Sequence, residues 1–127
     1  MDGVIRLDTH VVVWLFTGQI ELLSADAIDA IEQHQPVVSP MVRLELSYLH
    51  EIGRLTIGGA DIIADLDRRI GLRRSDLALD ALVDTAASLT WTRDPFDRLI
   101  VADALVAGAA LVTKDRTIHD HTTIARW

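Results

Sequence analysis

The chain has 127 residues, half of them apolar and about a quarter charged, with a formal net charge of −7 and no cysteine. That length holds one domain with one sizeable core, read here as a single unit over 1–127. The missing cysteines exclude disulfides and thiolate metal sites, and the acidic balance argues against a protein that grips phosphates through a general basic surface.

In chain order, Val4-Ile5-Arg6-Leu7 is a short, mostly apolar run ending at Asp8, which predicts a buried strand. A short helix follows from His10 to Phe16 and stops near Gly18. Ser24 is a good N-cap, and Ala27, Ile28 and Ile31 supply the apolar stripe of the next helix. Pro36-Val37-Val38 is a second strand. Ser39 as N-cap and Pro40 at the first helical position open a helix through about Ile52, closed by Gly53. Another helix is expected from Ala60 to Arg69, with a brief strand near 71–73 and a helical pattern over 76–88. Asp94-Pro95 opens a helix to about Ala107, ended by Gly108. Ala110 to Thr113 is a strand, and the tail should hold one helical turn and a last short strand. Strands alternating with longer helices predict an α/β domain with a mostly parallel sheet, covered by helices on both faces. In such a sheet the ligand site lies beyond the carboxyl ends of the strands.

The longest apolar stretch, 99–112, is too short to cross a membrane and is interrupted by Asp103. The opening residues lack a basic region followed by an apolar stretch and a cleavage site, so the expected location is the cytoplasm.

Four acids stand in suggestive places. Asp8 and Asp115 each lie at or just beyond a strand end, where an open α/β sheet puts its chemistry, although each could equally cap the following helix. Glu45 shares a helix face with Met41, Val42, Tyr48, Leu49 and Ile52. A lone carboxylate there is unfavourable unless paired, bound or reaching water at the stripe's edge. In Asp94-Pro95-Phe96-Asp97-Arg98, local capping needs only one acid. Asp97 shares a face with Ile100, Val101 and Ala104, which favours Asp97 as ligand and Asp94 as cap. Carboxylates gathered in a cleft repel one another. Hard cations such as Mg²⁺ or Mn²⁺ relieve the repulsion, and the matching chemistry is in-line phosphoryl displacement.

Taken together, Leu7-Asp8-Thr9-His10 with Trp14-Leu15, Ser39-Pro40 through Glu45 with Leu49 and Gly53-Arg54-Leu55, Asp94-Pro95-Phe96-Asp97-Arg98-Leu99-Ile100 with Ala102 and Ala104, and Leu111-Val112-Thr113-Lys114-Asp115 resemble, in order and spacing, the four motifs of the PIN-domain family. The likeness is closest to the VapC-type toxins of type II toxin–antitoxin pairs, and covers nearly the whole chain. It implies a three-layer α/β/α sandwich with a short, mostly parallel sheet. It also implies a Mg²⁺-dependent endoribonuclease, with Mn²⁺ as a substitute, that cleaves RNA phosphodiesters by metal-activated water. A homodimer and a VapB-like antitoxin that occludes the site are implied as partners. By the same likeness Asp8, Glu45, Asp97 and Asp115 fall on the acidic ligands, and Thr9, Ser39 and Thr113 on hydroxyl positions beside them, which together with Asp94 would support those ligands. Three positions depart from the pattern. Leu44 stands where an aromatic residue is common, Thr92 near a frequent histidine, and Asp103 in place of a frequent amide.

Arg93, Arg98, Lys114 and Arg116 flank the acidic motifs and are candidates for RNA phosphate contacts or for pairing with the acids. Arg68, Arg69, Arg73 and Arg74 form a denser patch, read most simply as a solvated surface. His119 and His121, two apart, do not share a helix face and make a poor metal pair. Asp103, on the far side of its helix from Asp97, is expected to be a surface or interface polar group. Trp14, Trp91 and Trp127 are expected in the core or an interface, with base stacking as the other reading for Trp91. Two rival functions stand beside this one. One is a nuclease-dead binding module on the same fold, against which the four intact acids speak. The other is a receiver-like phosphoacceptor, which would need a second acid after Asp8, where Thr9 stands, and an Asp ending the central strand, where Ser39 stands.

Overall fold

The structure, a computed structural model, describes residues 3–127. Its elements are β1 (Val4–Leu7), α1 (Thr9–Thr17), α2 (Ala25–Gln33), β2 (Gln35–Val38), α3 (Pro40–Glu51), α4 (Gly59–Ile70), β3 (Arg73–Arg74), α5 (Leu79–Ala86), α6 (Pro95–Ala107), β4 (Ala110–Val112), α7 (Arg116–His121) and β5 (Ala125–Arg126), with a 3₁₀ turn at Ile20–Leu22 that the sequence did not announce. Every strand pair is parallel, in the order β3-β2-β1-β4-β5. Ile5, Arg6 and Leu7 are all buried, so both faces of the central strand are covered. The chain leaves β1 toward β2 on one side and returns to β4 on the other. The crevice beyond the carboxyl ends of β1 and β4 is therefore the topological switch point of the sheet, where such folds bind ligands.

Local chemistry accounts for most boundaries. Ser24, Ser39, Asp94 and Asp115 each accept backbone N–H bonds at the start of α2, α3, α6 and α7, and Asp8 accepts one from Thr9 at the start of α1. Gly108 ends α6 at φ 64°, a backbone conformation that favours glycine. Gly59 has a packing reason instead: a Cβ there would run into the Arg43 carbonyl of α3, which α4 crosses closely.

Three expectations are corrected. The third strand lies at Arg73–Arg74 rather than 71–73, because Gly71 N and Leu72 N return to Asp67 O and Leu66 O and close α4 first. Helix α5 begins at Leu79, not at 76. Ser75 N donates to Val38 O and Ser75 Oγ accepts from Leu77 N, which keeps this segment on the sheet edge. Asp103 is neither surface nor interface in this chain. It is fully buried, and its Oδ1 accepts from Arg6 Nε at 2.6 Å.

Candidate active site

The carboxyl ends of β1 and β4 deliver Asp8 and Asp115 to one cleft, α3 delivers Glu45, and the first turn of α6 delivers Asp94 and Asp97. All five acids line a cavity of about 400 Å³, together with His10, Trp14 and Lys114. The acids singled out in the sequence line this one cavity, but the sequence reading did not single out His10, nor did it set Trp14 beside the acids. Their signal was available: positions 10 and 14 share a face of the helix that Asp8 caps.

Two threonines hold two of the acids. Thr113 Oγ1 donates to Asp8 Oδ2 at 2.6 Å, and Asp8 Oδ1 accepts from Thr9 N at 2.8 Å. Thr9 Oγ1 donates to Glu45 Oε1 at 2.5 Å. The Thr113 hydroxyl also accepts from Asp115 N, so the β4 end is folded onto the β1 end. Ser39 is nearly fully buried, but its hydroxyl caps Met41 N; among the described residues it makes no bond to the acids. Glu45 is half-buried at the margin of the α3 stripe. Val42 and Leu46 carry that helix into the core, whereas Tyr48 and Ile52 are about half exposed.

The electrostatics follow from crowding like charges. Burial is the first cause that raises the Asp8 carboxyl above its ordinary range, with Asp115 adding to it, while Thr113 and Thr9 N–H pull it back. Glu45 is raised by burial and by Asp8 and Asp94, against the Thr9 hydrogen bond. Asp97 is pushed up to about 7, by burial first and then by Asp94, Asp8, Asp115 and Glu45, and among the described residues no hydrogen bond offsets them. A group raised by burial and by like charges inside a cleft makes that cleft the candidate site.

Among the flanking cations, Lys114 lines the cleft. Arg98 Nε is instead committed to the Thr92 carbonyl at 2.8 Å, and Arg93 and Arg116 are exposed outside the cavity lining. The denser patch is a surface of ion pairs: Arg68 and Arg69 meet Asp65, and Arg73 meets Asp67. His119 Nε2 pairs with the Thr113 carbonyl, and His121 stacks on Trp91 at 5.0 Å between ring centroids, so neither histidine joins the acids. Among the described residues no three acids or histidines are drawn tightly enough together to enclose an ion by themselves.

Comparison with known proteins agrees with this architecture. The PIN domain family model matches residues 5–123. The chain is 33% identical over 125 residues to Ribonuclease VapC22 of Mycobacterium tuberculosis, covering 92% of this chain and 91% of that protein. Among solved structures it resembles, with a TM-score of 0.63 at 17% identity and 97% coverage of both chains, a chain in the crystal structure of VapBC2 from Rickettsia felis bound to a DNA fragment from their promoter. The fold, the four motifs and the matched span agree: the chain belongs to the PIN domain family.

Proposed function

We propose that this protein is a Mg²⁺-dependent endoribonuclease of the VapC type, the toxin of a toxin–antitoxin pair. The observation that carries the reading is the convergence of Asp8, Glu45, Asp97 and Asp115 from four separate elements on one cleft, with Asp97 raised to about 7 by burial first and by the neighbouring acids. Kinship with a protein named Ribonuclease VapC22 supports the activity. The likeness to a chain from a VapBC2 complex supports a VapB-like antitoxin as partner. A homodimer and a cytoplasmic location complete the proposal; among the described residues no helix is long and apolar enough to cross a membrane.

The donor set suits Mg²⁺, with Mn²⁺ as a substitute. It is all carboxylate oxygen; among the described residues these acids do not by themselves enclose an ion, which suits one that keeps several of its waters and takes one or two carboxylates. Asp8, Glu45, Asp97 and Asp115 would hold the ion. When bound, it supplies the positive charge that keeps the acids ionised and stabilises charge developing on the phosphate. The protein's own groups do the positioning. Thr113 and the Thr9 backbone fix both Asp8 oxygens, the Thr9 hydroxyl fixes Glu45, and Asp94 caps α6 so that Asp97 points into the cleft. Lys114, which lines the cleft, would meet an incoming RNA phosphate. Hydrolysis would leave a 5′-phosphate and a 3′-hydroxyl.

The inactive-module alternative loses its appeal because no acid is missing from the cleft, and family membership removes the receiver-like one. The deciding assay incubates the purified chain, free of its partner, with mixed RNAs and Mg²⁺ beside Asp8→Asn and Asp97→Asn. Cleavage by the wild type and not by the variants is expected. Equal cleavage by the variants, or none by the wild type, would overturn the assignment.

A further inference from the structure

We propose that His10 and Trp14 form an aromatic wall on which one unpaired base of single-stranded RNA stacks, beside the phosphate that is cut. The inference rests on the ribonuclease reading and adds to it a positioning residue, Trp14, with His10 beside it.

Three observations place the wall. First, His10 and Trp14 line the same cavity as the five acids. An indole is out of place in an acidic cleft if its role is only to fill the core, where it would be covered. Trp14 is instead half-buried, while its helix neighbours Val11 and Val12 are sealed. Secondly, the wall is braced. Trp14 meets His10 at 6.1 Å between ring centroids, and Trp127 at 6.1 Å in an edge-on arrangement. Trp127 follows β5, which pairs with β4, and β4 leads to Thr113 and Asp115. Helix α1 starts at Asp8 itself. The ring and two of the acids, Asp8 and Asp115, therefore hang from the same two anchors. Thirdly, the size is restrictive. A cavity of about 400 Å³ lies near the lower end of ligand sites and holds roughly one nucleotide unit, not a duplex.

The chemistry follows. A nucleotide offers a π-face and a phosphate, and the cleft offers aromatic rings together with the acids and Lys114. RNA-binding proteins read single strands by splaying bases onto aromatic side chains. Stacking is sequence-tolerant, because every base has a π-face. Trp14 thus favours unpaired RNA and sets where the strand lies, without fixing which base is present.

The test uses the full chain carrying Asp97→Asn, so that RNA is bound but not consumed. Decamers of adenylate, cytidylate and uridylate, and an abasic decamer as the backbone-only control, are titrated in Mg²⁺ while indole emission is followed. Base-bearing decamers should quench the emission, and the abasic one should not. Trp14→Ala should weaken base-bearing decamers roughly 5- to 150-fold and leave the abasic one unchanged. Trp14→Phe should recover most of the affinity with less quenching. His10→Ala, at an exposed position, should weaken binding in the same base-dependent sense, and it reports on the wall if Trp14→Ala proves unstable. Equal losses for base-bearing and abasic strands, no loss with either variant, or no binding of any decamer would overturn the proposal. Wild-type cleavage of mixed RNA, run in parallel, reads the nuclease assignment separately: cleavage that survives Trp14→Ala without a rise in KM defeats the wall alone.

Discussion

Thr113 Oγ1 donates to Asp8 Oδ2 at 2.6 Å across 105 positions of sequence, joining the end of β4 to the end of β1. The same hydroxyl accepts from Asp115 N, so one side chain aligns two of the four acids. Thr113→Val keeps the shape and removes both functions. Cleavage in Mg²⁺ is expected to fall about 10- to 100-fold through weaker ion binding. Thr113→Ser should restore most of it. A Thr113→Val protein with unchanged rate and ion dependence would show that the bond is incidental.

The acid cluster predicts how stability varies with pH. Asp8, Glu45 and Asp97 all have raised folded-state pKa values, with Asp97 at about 7. Between the unfolded value near 3.8 and about 7, the folded protein therefore binds more protons than the unfolded chain. Stability is full below that window and is lost as pH rises through it. Asp97 is partly exposed, so solvent screening reduces its share to about 1–2 kcal/mol. Without divalent ions, Tm should be higher at pH 5 than at pH 8. Mg²⁺ should raise Tm at pH 8 and have little effect at pH 5. A flat profile, or equal stabilisation by Mg²⁺ at both pH values, would contradict the cluster.

Asp97→Asn separates stability from activity. Removing the charge relieves the repulsion, so the variant should be more stable than wild type at pH 8 in chelator, while cleavage falls on the order of a hundredfold or more. Thermal melts and RNA cleavage on one preparation test both halves.

Asp94 and Asp97 are three residues apart and should behave differently. Asp94 Oδ1 accepts from Phe96 N and caps α6. Asp94→Ala should cost about 1 kcal/mol of stability, while Asp94→Ser, which keeps a capping oxygen, should cost little. Neither should abolish cleavage. Loss of activity in Asp94→Ser at full stability would promote Asp94 to a ligand.

Arg6 and Asp103 form a buried pair away from the cleft. Asp103 Oδ2 has no partner among the described residues, and Arg6 Nη2 reaches Ser75 Oγ at 3.5 Å. Breaking such a pair leaves an uncompensated charge, so Asp103→Ala should destabilise by about 3–5 kcal/mol. A double Arg6→Met, Asp103→Leu variant should recover much of that. Urea unfolding of the three proteins decides this.

Short-range chemistry was legible in the chain. Ser39-Pro40, Asp94-Pro95 and Gly108 mark helix ends because capping and positive φ are properties of a few adjacent residues. The alternation of strands and helices places Asp8 and Asp115 at strand ends by the same local logic. What the sequence could not decide is set by contacts between distant segments. Asp103 reads as a surface acid on its own helix, and only the sheet brings Arg6 beneath it. The Glu45 stripe suggests burial, yet its half-exposed margin depends on what packs against α3. Trp14 reads as core or interface until β5 sets Trp127 against its edge and the strand order turns its helix toward the acids. The sequence by itself indicated most of the elements and singled out the four acids as candidates. Only the tertiary structure decided which charges are paired, which stand together unpaired, and which aromatic faces them, because burial and Coulomb interactions depend on distances that the chain order does not contain.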